Sequence, residues 1–167
     1  MEKEVYLKKR EELDQQYIAE SGIIGKMFLL FNKEIYENGN LDEWVEVFKV
    51  RSAEVEKGEI FVDKVEHCSI SKYTNEDGVE YDLSEFREPD LEDDRDGMGI
   101  KPSKDFGEVE IDEGDYKKII DIICGGESDR SVERRFEEVC EYLLRSGFRR
   151  FIQSRENGQY SSGFEGD

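Results

Sequence analysis

The chain has 167 residues, of which 40% are charged and 36% hydrophobic, and its formal net charge at pH 7 is −19. Ten Phe and eight Tyr residues exclude a fully disordered chain, because disordered chains are poor in aromatics. The longest apolar run, residues 27–31, is far shorter than the roughly 20 residues that span a bilayer. We therefore expect a cytoplasmic protein, in the host cytoplasm if the gene is viral, with no membrane partner.

The first part of the sequence predicts helices. Residues 2–20 carry a sparse apolar stripe among many charges, which predicts a largely exposed helix. Residues 26–38 concentrate large apolar side chains, and Gly39 follows them as a left-handed cap, so we expect a second, more buried helix there. The whole segment 2–38 is thus expected to be helical.

The middle of the sequence predicts strands. From Trp44 onward, β-branched and aromatic residues recur at every second position, and turn signals stand at Lys57-Gly58 and at residues 75–78. Residues 43–111 are therefore expected to be mostly β. They are interrupted at residues 88–104 by an acidic stretch that contains both prolines and predicts an irregular loop.

The last part predicts helices again, over residues 115–152, with a break near Gly125 and a second helix starting at Ser131. Residues 148–152 either continue that helix or form a last strand. Residues 156–167 are rich in Gly and Ser and predict a flexible tail. The expected fold class is α+β: N-terminal helices, a central antiparallel β-meander of three to five strands, and C-terminal helices. We expect one such domain over residues 1–155.

The negative charge is concentrated in one segment. Residues 76–115 hold seventeen Asp or Glu against four Lys or Arg, a net charge of −13 out of the total of −19. Residues 129–155, in contrast, hold seven Arg against five acids. A localised negative field attracts a positively charged partner, and its self-repulsion costs stability, so it exceeds what solubility needs. The arginines are expected to form internal ion pairs, or to pair with the acidic segment of a second copy in a homodimer.

Two predicted strands would display acids on one side only. Glu80 and Asp82 alternate with apolar residues, as do Glu108 and Glu110. Same-side residues of a strand are about 6.8 Å apart, close to two phosphate steps along one DNA strand. The residues expected to contact a basic partner are Glu80, Asp82, Asp90, Glu92, Asp93, Asp94, Asp96, Glu108, Glu110 and Asp112. The neighbouring aromatics Tyr73, Tyr81, Phe86 and Phe106 are the candidate anchors if they are exposed, although for Tyr81 we favour packing in the core.

Catalytic and metal-binding signals are weak. His67 is the only histidine, and we interpret it as a structural residue of the sheet. The three cysteines have no CxxC spacing, and we interpret them as reduced thiols. Asp90 together with Asp115 and Lys117 has the residue types of a metal-dependent nuclease, but so acidic a chain would repel DNA. We expect no enzyme activity, no catalytic residues, no metal and no cofactor.

The charge pattern leaves three functions open. The first is an inhibitor of the phage or mobile-element anti-defence type, which blocks a basic, nucleic-acid-binding host protein by imitating the charge of DNA or RNA and does not itself bind nucleic acid. The second is an immunity protein or antitoxin that neutralises a basic nuclease toxin. The third is a structural or assembly subunit of a viral or multiprotein particle, in which the acidity serves packing or solubility.

Overall fold

A computed structural model describes residues 2–85, 94–98, 108–125 and 131–164, with the backbone alone for residues 85 and 94–98. The described chain divides into two compact units. The first unit contains residues 2–26, Lys49–Glu66 and 94–98. The second unit contains Met27–Phe48 and residues 67–85, 108–125 and 131–164. The expectation of a single domain over residues 1–155 stays a prediction.

Three helices and eight strands occur in the described residues. The helices are α1 (Lys3–Ser21), α2 (Glu113–Cys124) and α3 (Val132–Arg145). The strands are β1 (Met27–Ile35), β2 (Leu41–Glu56), β3 (Glu59–Asn75), β4 (Gly78–Glu85), β5 (Asp94–Met98), β6 (Glu108–Ile111), β7 (Phe151–Glu156) and β8 (Gln159–Phe164). Strands β2 and β3 are long enough to contribute to both units.

The strands form one mixed sheet. Hydrogen bonds join six of them in the order β4-β3-β2-β1-β7-β8. Strand β5 pairs with β3, and β6 pairs with residues 27–30 of β1. Strand β7 runs parallel to residues 32–35 of β1, whereas β6 runs antiparallel to it. Strand β1 therefore has two different partners along the same edge.

The predicted arrangement of N-terminal helices, a three-to-five-strand antiparallel meander and C-terminal helices is wrong, although the chain does combine helices and strands. Residues 26–38 form strand β1 and a turn, not a second helix. The reason is that β1 is buried on both sides, with Phe28 facing one side and Leu29 the other. A strand buried on both sides reads as a continuous apolar run, which periodicity cannot distinguish from a buried helix.

The chain after α3 also differs from the expectation. Residues 151–152, for which a last strand was the alternative to a continued helix, begin β7. Residues 159–164, which were expected to belong to a flexible tail, form β8. Asn157 and Gly158 connect the two strands with φ angles of 52° and 78°. Positive φ at both central residues is the geometry of a type I′ hairpin turn, for which Asn-Gly is the preferred sequence.

The second unit has a core on one side of its sheet. Helices α2 and α3 supply Ile119, Ile123, Val139 and Leu143, which are fully buried. The sheet supplies alternate residues of three neighbouring strands, namely Leu29, Phe31, Val45, Val47, Cys68 and Ile70. Both helices begin at a side-chain cap: Asp112 for α2 and Ser131 for α3. We call this side of the sheet the helix side.

The first unit consists of α1, a β-hairpin and β5. Helix α1 occurs where the sequence predicts it, and Ile18 is its only buried residue. Lys57 and Gly58 turn the hairpin with positive φ angles of 52° and 79°, which connects the end of β2 to the start of β3. Arg51 and Glu66 form an ion pair across these two strands.

Candidate acidic binding face

The side of the second unit's sheet that faces away from α2 and α3 carries two neighbouring carboxylates. The rings of Phe28 and Phe48 stack there, with centroids 5.3 Å apart. Glu34 lies six residues after Phe28 on β1, and Asp42 lies six residues before Phe48 on β2. Because side chains alternate along a strand, an even separation places both carboxylates on the side of Phe28 and Phe48. Both are half-buried.

Strand β4 adds two exposed carboxylates to the same side. Tyr81 packs edge-on against Phe136 of α3, with centroids 6.0 Å apart, so this residue points to the helix side. Its neighbours Glu80 and Asp82 therefore point away from the helices, and both are exposed. Their partners on β3 are Tyr73 and Ser71. We call the set Glu34, Asp42, Glu80 and Asp82 the acidic face.

Two ionisable groups on this side have raised pKa values, mainly because they are partly buried and further because carboxylates lie near them. Burial, followed by the charges of Glu34 and Glu43, raises the pKa of Asp42. The pKa of Tyr36 is raised to about 12 by burial, by its hydrogen bond to Glu34, and by the charges of Glu34, Asp42 and Tyr73. The Tyr36 hydroxyl donates this bond to Oε2 of Glu34 over 3.1 Å. A nearby negative charge disfavours the ionised form of an acid, so it raises the pKa of a carboxyl group and of a tyrosine hydroxyl alike.

The aromatic residues predicted as anchors divide between the two sides. Tyr73 lies on the same side of the sheet as the acidic face, and its hydroxyl accepts a hydrogen bond of 2.9 Å from Nδ2 of Asn40. Tyr81 points to the core, and burial together with Glu133 and Glu137 of α3 raises its pKa. Phe86 and Phe106 lie outside the described residues.

The second predicted acidic strand does not lie beside the first. Glu108 and Glu110 of β6 face Leu30 and Phe28 across the β1–β6 ladder, so they project to the same side as the acidic face. However, β1, β2 and β3 lie between β6 and β4 in the sheet order. Four strand spacings amount to roughly 19 Å, so the two acidic strands are separate patches.

Asp112 is also charged but has a structural role. Its Oδ1 accepts a hydrogen bond of 2.7 Å from the backbone N–H of Asp115, which caps the N-terminus of α2. The remaining predicted residues fall in the acidic stretch. Asp90, Glu92 and Asp93 lie outside the described residues. Asp94 and Asp96 lie on β5, in the first unit, and the backbone of Asp94 is the partner of Lys64.

Sequence reasoning missed Glu34 and Asp42. Both precede the acidic segment, and the prediction of a helix over residues 26–38 hid the alternation that places Glu34 on this side. The useful signal was Asn38-Gly39, a dipeptide typical of hairpin turns. Gly39 does adopt a positive φ of 89°, but it does so between two strands rather than at a helix end.

His67, which the sequence analysis interprets as a structural residue of the sheet, lies on the same side as Phe48. Its Nε2 is 2.7 Å from Oε1 of Glu46, and both side chains are almost completely buried. The pair is therefore part of the interior rather than of the acidic face. Among the described residues, no group of three or more His, Cys, Asp or Glu side chains is placed to hold a metal ion.

Three arginines after residue 129, namely Arg134, Arg135 and Arg150, make internal contacts. Arg150 forms a buried ion pair with Glu43, and Arg134 pairs with Glu138 one helical turn away. Arg135 donates to the backbone carbonyl of Ile123 over 3.2 Å. The contacts of Arg134 and Arg150 are internal ion pairs of the kind expected for this cluster, whereas pairing with a second copy in a homodimer stays a prediction.

An apolar groove opens on the helix side of the sheet, where β1 changes partner from β6 to β7. Its volume is about 410 Å³. The lining includes Leu29, Phe31, Val109, Phe148 and Phe164. Val109, one of the apolar residues that alternate with Glu108 and Glu110, is 38% exposed at this groove.

Comparison with protein-family models, with curated proteins and with solved structures finds no significant match to this chain. The function therefore has to be argued from its own residues. In the part of the chain that the structure describes, none of the helices has both the length and the apolar content needed to cross a bilayer.

Proposed function

We propose that this chain is a binding protein whose acidic face engages the nucleic-acid-binding surface of a basic protein, and so inhibits it by charge mimicry. The observation that carries the proposal is geometric: Glu34, Asp42, Glu80 and Asp82 share one side of the second unit's sheet, and Glu80 and Asp82 are exposed there. Carboxylates on one side of a sheet repel one another, and a cationic partner would relieve that repulsion.

The spacing of the face supports a partner that binds phosphates. Glu80 and Asp82 are two residues apart on one strand and both point outward, a separation of about 6.8 Å. Glu34 on β1 and Asp42 on β2 lie on neighbouring strands, about 4.8 Å apart, and β3 separates them from the row on β4. Lys and Arg side chains that contact phosphates two steps apart along one DNA strand would meet carboxylates at a similar spacing on β4.

Beside its carboxylates, this side of the sheet carries an aromatic ring, a group that often anchors protein–protein interfaces. Tyr73 lies between Asp42 and Glu80 on this side and presents a half-buried ring, which is the kind of group that anchors a charged interface. Electrostatic attraction would then speed association, while packing against the ring would slow dissociation. This division favours a folded protein as the partner rather than a polycation without defined shape.

The test is affinity capture from host lysate. The protein is immobilised, capture is done at low and high salt with duplex DNA as the competitor, and the bound proteins are identified by mass spectrometry. We expect capture of nucleic-acid-binding proteins that DNA displaces, because both ligands would occupy the same surface. The decisive variant carries Glu80→Lys and Asp82→Lys and should lose this capture. The matched control carries Glu11→Lys and Glu12→Lys on α1, which changes the net charge equally at exposed positions. Equal capture by both variants would rule out the acidic face.

A further inference from the structure

Two cysteines distant in sequence meet inside the second unit. Cys68 lies on β3, and Cys124 is the last residue of α2, 56 residues later. Their Sγ atoms are 2.7 Å apart. A disulfide bond is about 2.05 Å long, so the two atoms need to approach by only about 0.65 Å to be bonded.

We propose that Cys68 and Cys124 are an oxidisable pair, which forms an intramolecular disulfide with a low-molecular-weight disulfide such as oxidised glutathione. The proposal is independent of the acidic face and does not depend on its function. It rests on the juxtaposition of the two thiols and on the rigidity of the elements that carry them.

The reaction is ordinary thiol–disulfide exchange. Cys124 is half-buried, whereas Cys68 is only 2% exposed, so Cys124 is the residue that a small reagent can reach. The Cys124 thiolate attacks one sulfur of oxidised glutathione and releases one glutathione thiolate. The Cys68 thiolate then attacks Sγ of Cys124 and releases the second. The two cysteines lose two electrons and two protons, and one oxidised glutathione becomes two reduced molecules.

Both cysteines are held by secondary structure. Cys68 is within the β3–β4 ladder, where its backbone partner is Glu85. Cys124 ends a helix whose side chains Ile119 and Ile123 are fully buried in the core. A bond between them would fasten α2 to the sheet and close a long loop, which restricts the unfolded chain.

The third cysteine is in a different environment. Cys140 on α3 is buried, and the guanidinium of Arg150 lies 3.6 Å from its sulfur. Burial is the main cause that raises the pKa of this thiol to about 11. A protonated, buried thiol is a poor nucleophile, so Cys140 should remain reduced while the other two react.

The experiment exposes the full chain to mixtures of reduced and oxidised glutathione, quenches with acid, and counts free thiols after denaturation. We expect the count to fall from three to one, with a mass lower by about 2 Da for the two lost hydrogens and no attached glutathione. A Cys140→Ala variant should oxidise in the same way, and a Cys124→Ala variant should not form an intramolecular bond. Three remaining thiols, a stable glutathione adduct or a disulfide-linked dimer would each overturn the proposal.

A second measurement separates a structural bond from an incidental one. In the Cys140→Ala variant, oxidation should raise the midpoint of thermal unfolding by on the order of 10 °C relative to the reduced form, since a loop of this length is closed. The matched control, Cys68→Ala combined with Cys140→Ala, should show no dependence on reductant. A lower midpoint after oxidation would mean that the bond distorts the native packing, which would contradict the inferred geometry.

Discussion

The guanidinium of Arg150 donates a hydrogen bond of 2.6 Å to Oε2 of Glu43, although the two residues are 107 positions apart in the sequence. Both side chains are 11% exposed. The guanidinium also lies over the ring of Phe31, 4.7 Å from its centroid. This pair therefore joins the segment after α3 to strands β1 and β2 within the second unit.

Removing one partner of this pair should cost far more than removing a surface charge. We expect Arg150→Met to lower the free energy of unfolding by about 3–5 kcal/mol, because Glu43 is left buried without its counter-charge. Adding Glu43→Leu to that variant should recover much of the loss. The control is Lys117→Met, which breaks an exposed pair of 3.0 Å with Glu113 and should cost less than about 1 kcal/mol. Equal costs in urea denaturation would contradict the buried role of Arg150.

Asp42 should make the protein less stable at neutral pH than at mildly acidic pH. Its pKa in the folded state is raised above the ordinary value of 3.8, so the folded protein binds this proton more tightly than the unfolded chain does. At pH 7 the charged carboxylate therefore lowers the free energy of unfolding. This loss of stability disappears as the pH falls, first through the raised pKa of the folded state and then through the ordinary pKa of the unfolded chain.

The corresponding variant is Asp42→Asn. It should be more stable than the parent protein at pH 7, and the difference should vanish at pH values below 3.8. Glu11→Gln removes one exposed charge from α1 and serves as the control for net charge. Denaturant unfolding over this pH range measures both. A stabilisation by Asp42→Asn that does not change with pH would show that the carboxylate charge is not its cause.

Asp112 should affect stability through its cap rather than through its charge. Asp112→Ala removes the acceptor for the Asp115 N–H and should cost about 1 kcal/mol. Asp112→Asn keeps a side-chain acceptor and should lose only the smaller contribution from the helix dipole. If the two variants were equally unstable in thermal unfolding, the charge rather than the hydrogen bond would be the stabilising element.

Cys140 should react slowly in the folded protein. With its pKa raised to about 11 from an ordinary 9.0, the thiolate is about 100-fold less abundant at pH 8, although a more basic thiolate is also more nucleophilic. We expect labelling by a chromogenic disulfide reagent to be at least about tenfold slower than after unfolding. The measurement uses Cys68→Ala with Cys124→Ala, which leaves one thiol. Fast labelling under native conditions would contradict the burial of Cys140.

Local signals predicted the helices and several turns. Helix α3 begins at the Ser131 cap that the sequence indicates and buries the apolar stripe expected of it. Strand β4 also alternates as predicted at Tyr81 and its neighbours, because a core on one side of an edge strand imposes a period of two. These features depend on residues a few positions apart, so the sequence carries them directly.

The errors arise where the environment overrides local pattern. Residues 27–35 are a strand because neighbouring strands and packing on both sides surround them, and no local signal reports that. Strand β8 is polar and exposed, and it exists because it hydrogen-bonds to β7 across the Asn157-Gly158 turn. The turn signal was present in the sequence, but the Gly- and Ser-rich composition after it favoured a tail.

The sequence by itself determined the total charge, the concentration of acids in residues 76–115, and the outward direction of Glu80 and Asp82. Only the tertiary structure decided that Glu34 and Asp42 share their side of the sheet, that Glu108 and Glu110 do not lie next to them, and that Cys68 meets Cys124. The physical reason is that strand order and helix packing depend on contacts between distant parts of the chain. Alternation tells which side a residue faces, whereas only the pairing of strands tells what stands beside it.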